Sequence, residues 1–144
     1  MLVTEILKQK GDLVFTVSPS ESLTSAAAQL HRHGVGALLV REGEDGPILG
    51  ILSERDIVWG IARGGESALQ RTVGDCMTRE LIEASPSETV DSLMARMTDK
   101  RVRHLPVVKD GELCGIVSIG DLVKHKIGEV EAEAANLKQY IATG

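Results

Sequence analysis

Hydrophobic and polar positions change period several times along this chain, and they do so twice in the same order. A short apolar run, LVFTV at 13–17, comes first, and Leu23, Ala26, Ala27 and Leu30 follow at helical spacing. Two more runs, ALLVR and ILGILS, flank the turn-rich EGEDGP, and another helical stretch begins after Ser53. Short apolar runs bounded by turn residues predict strands, and three–four spacing predicts amphipathic helices. The second half repeats the series. LIEAS at 81–85 precedes Val90, Leu93, Met94 and Met97; HLPVVK and LCGIVS flank Asp-Gly; a helix follows Ser118. Each half therefore predicts β-α-β-β-α, with Asp-Gly as a tight hairpin signal.

The two halves also match residue by residue. Ser18, Pro19, Ser20 and Glu21 recur as Ser85, Pro86, Ser87 and Glu88. Gly50, Ile51, Ser53 and Asp56 recur as Gly115, Ile116, Ser118 and Asp121. This is the signature of a tandem repeat. Ser-Pro-Ser-Glu reads as a helix start, with the Ser20 or Ser87 hydroxyl as cap. Gly34 ends the first helix, and Arg101 stands at the matching place in the second. The expected organisation is repeat 1 with an N-terminal segment at 1–62, a linker at 63–72, repeat 2 at 73–126 and a helical tail at 127–144. A unit of about 60 residues is marginal alone, so the repeats should share a core. The fold class is α+β: two β-α-β-β-α repeats about a pseudo-two-fold axis, plus a C-terminal helix.

Composition narrows the function. The 144 residues carry a net charge of -5, against the basic footprint nucleic-acid binding requires. No apolar run approaches the ~20 residues of a membrane span. MLVTEILKQKGD has no signal-peptide core, so a cytoplasmic protein is expected. Cys76 and Cys114 form no CxxC pair and read as reduced packing residues. There is no G-x-S-x-G elbow, P-loop or metal-ligand cluster, so neither catalytic residues nor a metal are expected. His31 and His33, at the end of a helix, read as surface residues.

The repeated Ser-x-x-Asp admits two readings. Ser53/Asp56 and Ser118/Asp121 fit a capping box. A helix N-terminus at a strand end also suits phosphate, and an aspartate one turn in can accept both hydroxyls of a ribose diol. In KRVRHLP, Lys100 and Arg101 read as a solvated turn, whereas Arg103 and His104 run into a strand. Gly36 and Ala37 match them in repeat 1, so the two sites should be unequal, the second better built for phosphate.

The paired repeats, the SPSE turns, VRHLPVV, GIVSIGDL and GILSERDI resemble a tandem CBS-domain (Bateman) module, over Ile6 to Val123. The whole chain is similar to stand-alone bacterial CBS-pair proteins. The resemblance implies a non-catalytic sensor binding AMP, ADP, ATP, S-adenosylmethionine or NAD(H) in clefts between the repeats. It implies Asp56 and Asp121 for ribose, and Ser53, Ser118, Arg103, His104, Arg55 and Lys10 near phosphate. It implies that the segments around Lys10, Phe15, Thr16 and Val17 and around Thr78, Leu81, Ile82 and Ala84 line the adenine pockets, together with Val35, Gly36, Val102, Ile119 and Gly120. A homodimer and an unidentified downstream protein partner are implied as well. The alternative is a structural interaction module with vestigial clefts.

The tail adds an amphipathic stripe, Ile127, Val130, Ala134, Leu137 and Ile141, which suits either a helix lying on its own module or a dimer contact. Phe15, Trp59 and Tyr140 are the only aromatics. Phe15 is the one candidate to stack on a base, and Trp59 reads as a helix-packing residue.

Overall fold

A computed structural model describes residues 1–11 and 13–143. The elements in chain order are α1 (Val3–Lys10), β1 (Thr16–Val17), α2 (Leu23–His33), β2 (Ala37–Arg41), β3 (Ile48–Ser53), α3 (Glu54–Gly64), a 3-10 turn (Gly65–Gln70), α4 (Val73–Cys76), α5 (Val90–Lys100), β4 (His104–Lys109), β5 (Glu112–Ser118) and α6 (Ile119–Thr143). They divide into two compact units, Val14–Leu81 and Met1–Leu13 with Ile82–Gly144. The class is mixed α+β with two repeats and a C-terminal helix, as the sequence predicts.

In the unit Val14–Leu81, β1 runs parallel to β2, and β2 antiparallel to β3. Leu38, Val40 and Leu52 of the sheet pack with Leu23, Ala26 and Leu30 of α2 and with Ile57 of α3. Val73 and Met77, from the segment after α3, complete this core. The other unit packs Leu105, Val107 and Val117 against Val90, Leu93 and Met97 of α5 and Leu122 of α6. Val3 and Ile6 of α1 fill the matching place. Each repeat thus closes its core with the segment that precedes the other repeat, which sequence order alone places elsewhere.

The SPSE stretches correct the expected helix starts. α2 begins at Leu23 and is capped by Ser22, whose Oγ accepts from Ser25 N at 3.1 Å. α5 begins at Val90, capped by Thr89 in the same way. Ser20 and Ser87 cap neither helix. Ser-Pro-Ser-Glu instead closes a separate turn: Ser18 N donates to Glu21 Oε2 at 2.9 Å, and Ser85 N to Glu88 Oε2 at 2.8 Å. The acidic side chain folds back before the helix begins, so proline sets the turn rather than the first helical residue. These turns then dock the extra helices. Val73 N and Gly74 N at the start of α4 donate to the carbonyls of Glu21 and Pro19. Val3 N and Thr4 N of α1 donate to Glu88 and Pro86. Orphan helix amides meet turn carbonyls in both units.

The two glutamates are braced differently. Glu21 accepts from Ser25 Oγ and from Gln29 Nε2 at 3.1 Å. Glu88 meets Arg96 through both oxygens, one contact being Nη1–Oε2 at 3.0 Å. The Arg96 hydrogen bond, helped by the Ser85 amide and the Arg96 charge, holds the Glu88 carboxyl below its ordinary range despite partial burial.

Strand 13–17 shrinks to Thr16–Val17, and 81–85 to a single bridge, Ala84 with Val107. The second loss has a donor-level cause. Leu39 N donates to Phe15 O at 3.2 Å, but Pro106 occupies the matching position in repeat 2 and has no N–H to give. The Asp-Gly hairpin forms as expected: Asp110 and Gly111 have φ of 52° and 78°, positive at both positions. Gly34 at φ 63° and Arg101 at φ 55° end α2 and α5 in the left-handed region. α6 passes through Gly128 unbroken, so the last helix of repeat 2 and the tail are one element.

Candidate functional site

Each unit ends its last strand at a serine that caps the following helix. In the unit Val14–Leu81, Ser53 N donates to Asp56 Oδ2 at 2.9 Å, and Asp56 N returns a bond to Ser53 Oγ at 3.3 Å. Thr78 Oγ1 donates to Asp56 Oδ1 at 3.1 Å. Thr78 also exchanges both backbone bonds with Ile51 at 2.9 Å. Asp56 is 7% exposed and is the one buried charged residue among those described.

The other unit builds the same cap: Ser118 N to Asp121 Oδ2 at 2.8 Å, Asp121 N to Ser118 Oγ at 3.1 Å. Here a cation takes the place of the threonine. Lys10 Nζ donates to Asp121 Oδ2 at 2.6 Å and to the Ile116 carbonyl at 2.8 Å. Ile116 is the repeat equivalent of Ile51, so one ammonium does the two jobs that the Thr78 hydroxyl and amide share. Lys10 and Asp121 remain partly exposed. Burial pushes the Asp121 carboxyl up, but the Lys10 hydrogen bond, the Ser118 amide and the Lys10 charge outweigh it, and the net shift is downward.

Glu88 and Asp121 together set an acid limit. Both folded-state values are depressed, so their stabilisation is complete above the unfolded values of about 4.3 and 3.9 and is lost as pH falls through the folded ones. Each partly exposed pair contributes at most ~1 kcal/mol. Urea denaturation from pH 5 to 3 should show the native chain losing more stability than an Arg96→Gln, Lys10→Gln double variant. Equal losses would contradict this account.

His104 opens β4 directly opposite Ser118, and the Arg103 carbonyl accepts from Ile119 N at 2.8 Å. Ala37 opposite Ser53 and the Gly36 carbonyl on Glu54 N repeat that geometry without charge. The alignment of Arg103–His104 with Gly36–Ala37 is therefore structural as well as sequential. Arg103 and Gly120 are exposed, while His104, Val102 and Ile119 are half-buried.

Other candidates turn elsewhere. Val17 and Ala84 are 2% and 4% exposed, with their side chains in the two cores. Ile82 and Val35 are half-buried against those cores; Leu81 is half-buried and Thr16 exposed. The Phe15 ring stacks on His33, centroids 3.7 Å apart and planes 9° apart, so its aromatic face already has a partner. His33 is a stacking residue that its place at a helix end did not reveal. Arg55 lies over the Trp59 ring at 5.7 Å, and Trp59 is half exposed, not packed in the helix layer as expected. An open groove between α2 and α3 is lined by His31 of α2, by Val35 and Gly36 after it, and by Glu54 and Val58 of α3. Among the described residues, no group of three His, Cys, Asp or Glu could hold a metal ion, and no helix is long and apolar enough to cross a membrane.

The CBS-domain family profile matches residues 11–63 and 73–128, the two repeats described above. The chain belongs to the CBS-domain family. A CBS domain-containing protein of Arabidopsis thaliana, CBSX3, named as mitochondrial, is 36% identical over 99% of this chain and 72% of its own length. The crystal structure of the CBS-domain containing protein ATU1752 from Agrobacterium tumefaciens is similar at a TM-score of 0.85 and 43% identity, covering 87% of this chain and 92% of that one. The CBS domain pair of protein MJ0100, solved with 5′-methylthioadenosine and S-adenosyl-L-methionine, matches at a TM-score of 0.77 and 28% identity over 90% and 98% of the two chains. CBS pairs are regulatory, non-catalytic modules.

Proposed function

We propose that this CBS pair is a sensor of an adenosyl small molecule, AMP, ADP, ATP, NAD(H) or a sulfur-bearing relative, with the better site at Asp121. The observation that carries this is the Lys10–Asp121 contact at the start of α6. A carboxylate at a helix N-terminus can accept both hydroxyls of a ribose diol. The ammonium now on that carboxylate sits on a flexible stem. When the diol takes its place, Lys10 is free to follow the ligand's phosphate, where Arg103 adds positive charge, His104 a ring nitrogen and the α6 N-terminus its dipole. The adenosyl ligands of the MJ0100 pair support the same ligand class. Binding regulates by favouring one arrangement of the chain over another, read by a partner protein or through a homodimer.

Asp56 supports a more structural role for the first repeat. It is buried, and both its oxygens are held by Ser53 and Thr78. The two sites are thus unequal, with repeat 1 closer to a pure cap.

A melting series tests the proposal. Ligand at ~100 times its dissociation constant adds about 2.7 kcal/mol to the folded state. For a chain of this size that is a rise of roughly 10 °C. AMP, ATP, NADH and S-adenosylmethionine should include at least one such ligand, and GMP and CMP should do less. No shift with any adenosyl compound would favour the purely structural reading.

A further inference from the structure

α6 outruns its own unit. Its 25 residues reach roughly 37 Å at ~1.5 Å per residue. Leu122, in its second turn, is buried, and Lys126 pairs with Asp91 of α5 at 3.0 Å. Beyond that, Ile127, Val130, Leu137 and Ile141 are 53%, 52%, 59% and 68% exposed. With Ala134 they alternate at spacings of four and three, which in heptad terms puts Ile127, Ala134 and Ile141 at a and Val130 and Leu137 at d. The flank of α6 that faces Met1 and Gln9 carries His125, Gly128, Glu129, Ala132 and Asn136 at b, c or f, with Lys124 at e and Glu133 at g on its edges, and no a or d residue. The apolar seam therefore points away from the unit that α6 belongs to.

We infer that this seam docks onto the same seam of a second copy of the chain, as a parallel, in-register two-stranded coiled coil. The inference deepens the homodimer named above and rests on it. Charge chooses both occupant and direction. In a parallel pair each g residue faces the e residue five positions on in the other helix. Lys126 then meets Glu131 of the second copy, and Glu133 meets Lys138, each twice by symmetry. Lys126 is partly engaged by Asp91, so Glu133–Lys138 is the discriminating pair. An antiparallel pair with Ile127 opposite Leu137 would set Glu131 against Glu131 and Glu133 against Glu133. Sliding it to relieve that repulsion leaves either Ile127, or Leu137 and Ile141, outside the seam. Isoleucine at two of the three a positions, with leucine at the d position Leu137, also favours two parallel strands.

The test uses the full chain in sedimentation equilibrium, with far-ultraviolet circular dichroism to show that every variant is folded. The native chain should be dimeric. Leu137→Asp and, separately, Lys138→Glu should weaken the dimer by at least ~10-fold in dissociation constant. Lys138→Glu combined with Glu133→Lys should restore it. For direction, Leu137→Cys in a Cys76→Ser, Cys114→Ser background should form a self-disulfide under mild oxidation much faster than Asn136→Cys does. A dimer that survives Leu137→Asp unchanged, lack of rescue by the charge swap, or equal crosslinking at 136 and 137 would overturn the coiled coil while leaving a homodimer through another surface. A monomeric native chain would overturn both.

Discussion

Gly50→Ala is expected to destabilise the fold by ~2–3 kcal/mol, while Gly115→Ala at the same repeat position costs under ~1 kcal/mol. A Cβ on Gly50 would lie 2.6 Å from the Thr78 carbonyl oxygen and 3.0 Å from Met77 Sδ. The carbonyl is backbone, tied to Ile51 by the paired 2.9 Å bonds, and it cannot rotate away. Relief requires Thr78 to move, and its hydroxyl then leaves the buried Asp56 carboxylate. At Gly115 the Cβ meets Leu7 Cδ2 at 2.8 Å, the far end of a side chain that can change rotamer. Urea denaturation of both variants gives the comparison directly. Equal costs would mean that the segment around Thr78 is not seated on β3 as described.

The two aspartates should separate in the opposite sense for fold and for ligand. Asp56→Ala strips partners from the Ser53 amide and the Thr78 hydroxyl in a buried place, at a cost of ~2–4 kcal/mol. Asp121→Ala leaves Lys10 in a partly exposed position where water solvates it, so the fold should lose only ~1 kcal/mol. Denaturation without ligand measures both. A larger loss at Asp121 would contradict the reading of Asp56 as the more structural residue.

Local pattern carried much of this architecture. The run-and-period alternation marks β2 to α3 and β4 to α6, Asp110–Gly111 marks its hairpin, and the matched Ser53/Asp56 and Ser118/Asp121 mark both caps. What escaped depends on partners distant in sequence. Ser20 and Ser87 look like caps until the Glu21 and Glu88 side chains are seen folding back on Ser18 and Ser85. Pro106 is visible in the sequence, but its effect needs the knowledge that residue 82 lies beside it. The association of α1 with repeat 2 rests on amide–carbonyl bonds to the Pro86 turn, which no periodicity encodes. Lys10 was legible as a cation near the site, but not as the direct partner of a carboxylate 111 residues away. Val17 and Ala84 are small apolar residues at strand entry, a pattern equally consistent with core and with pocket wall.

The central claim is that the Asp121 carboxylate receives the ribose of an adenosyl ligand. Isothermal calorimetry of AMP with the native chain, Asp121→Ala and Asp56→Ala measures it most directly, once melting curves show each variant folded at the working temperature. Losing a charge-assisted hydrogen bond costs ~1.5–3 kcal/mol, or roughly 10- to 150-fold in affinity. The expected result is AMP binding to the native chain, a loss of that size in Asp121→Ala and a smaller one in Asp56→Ala. AMP affinity unchanged in Asp121→Ala, or a loss confined to Asp56→Ala, would contradict the account.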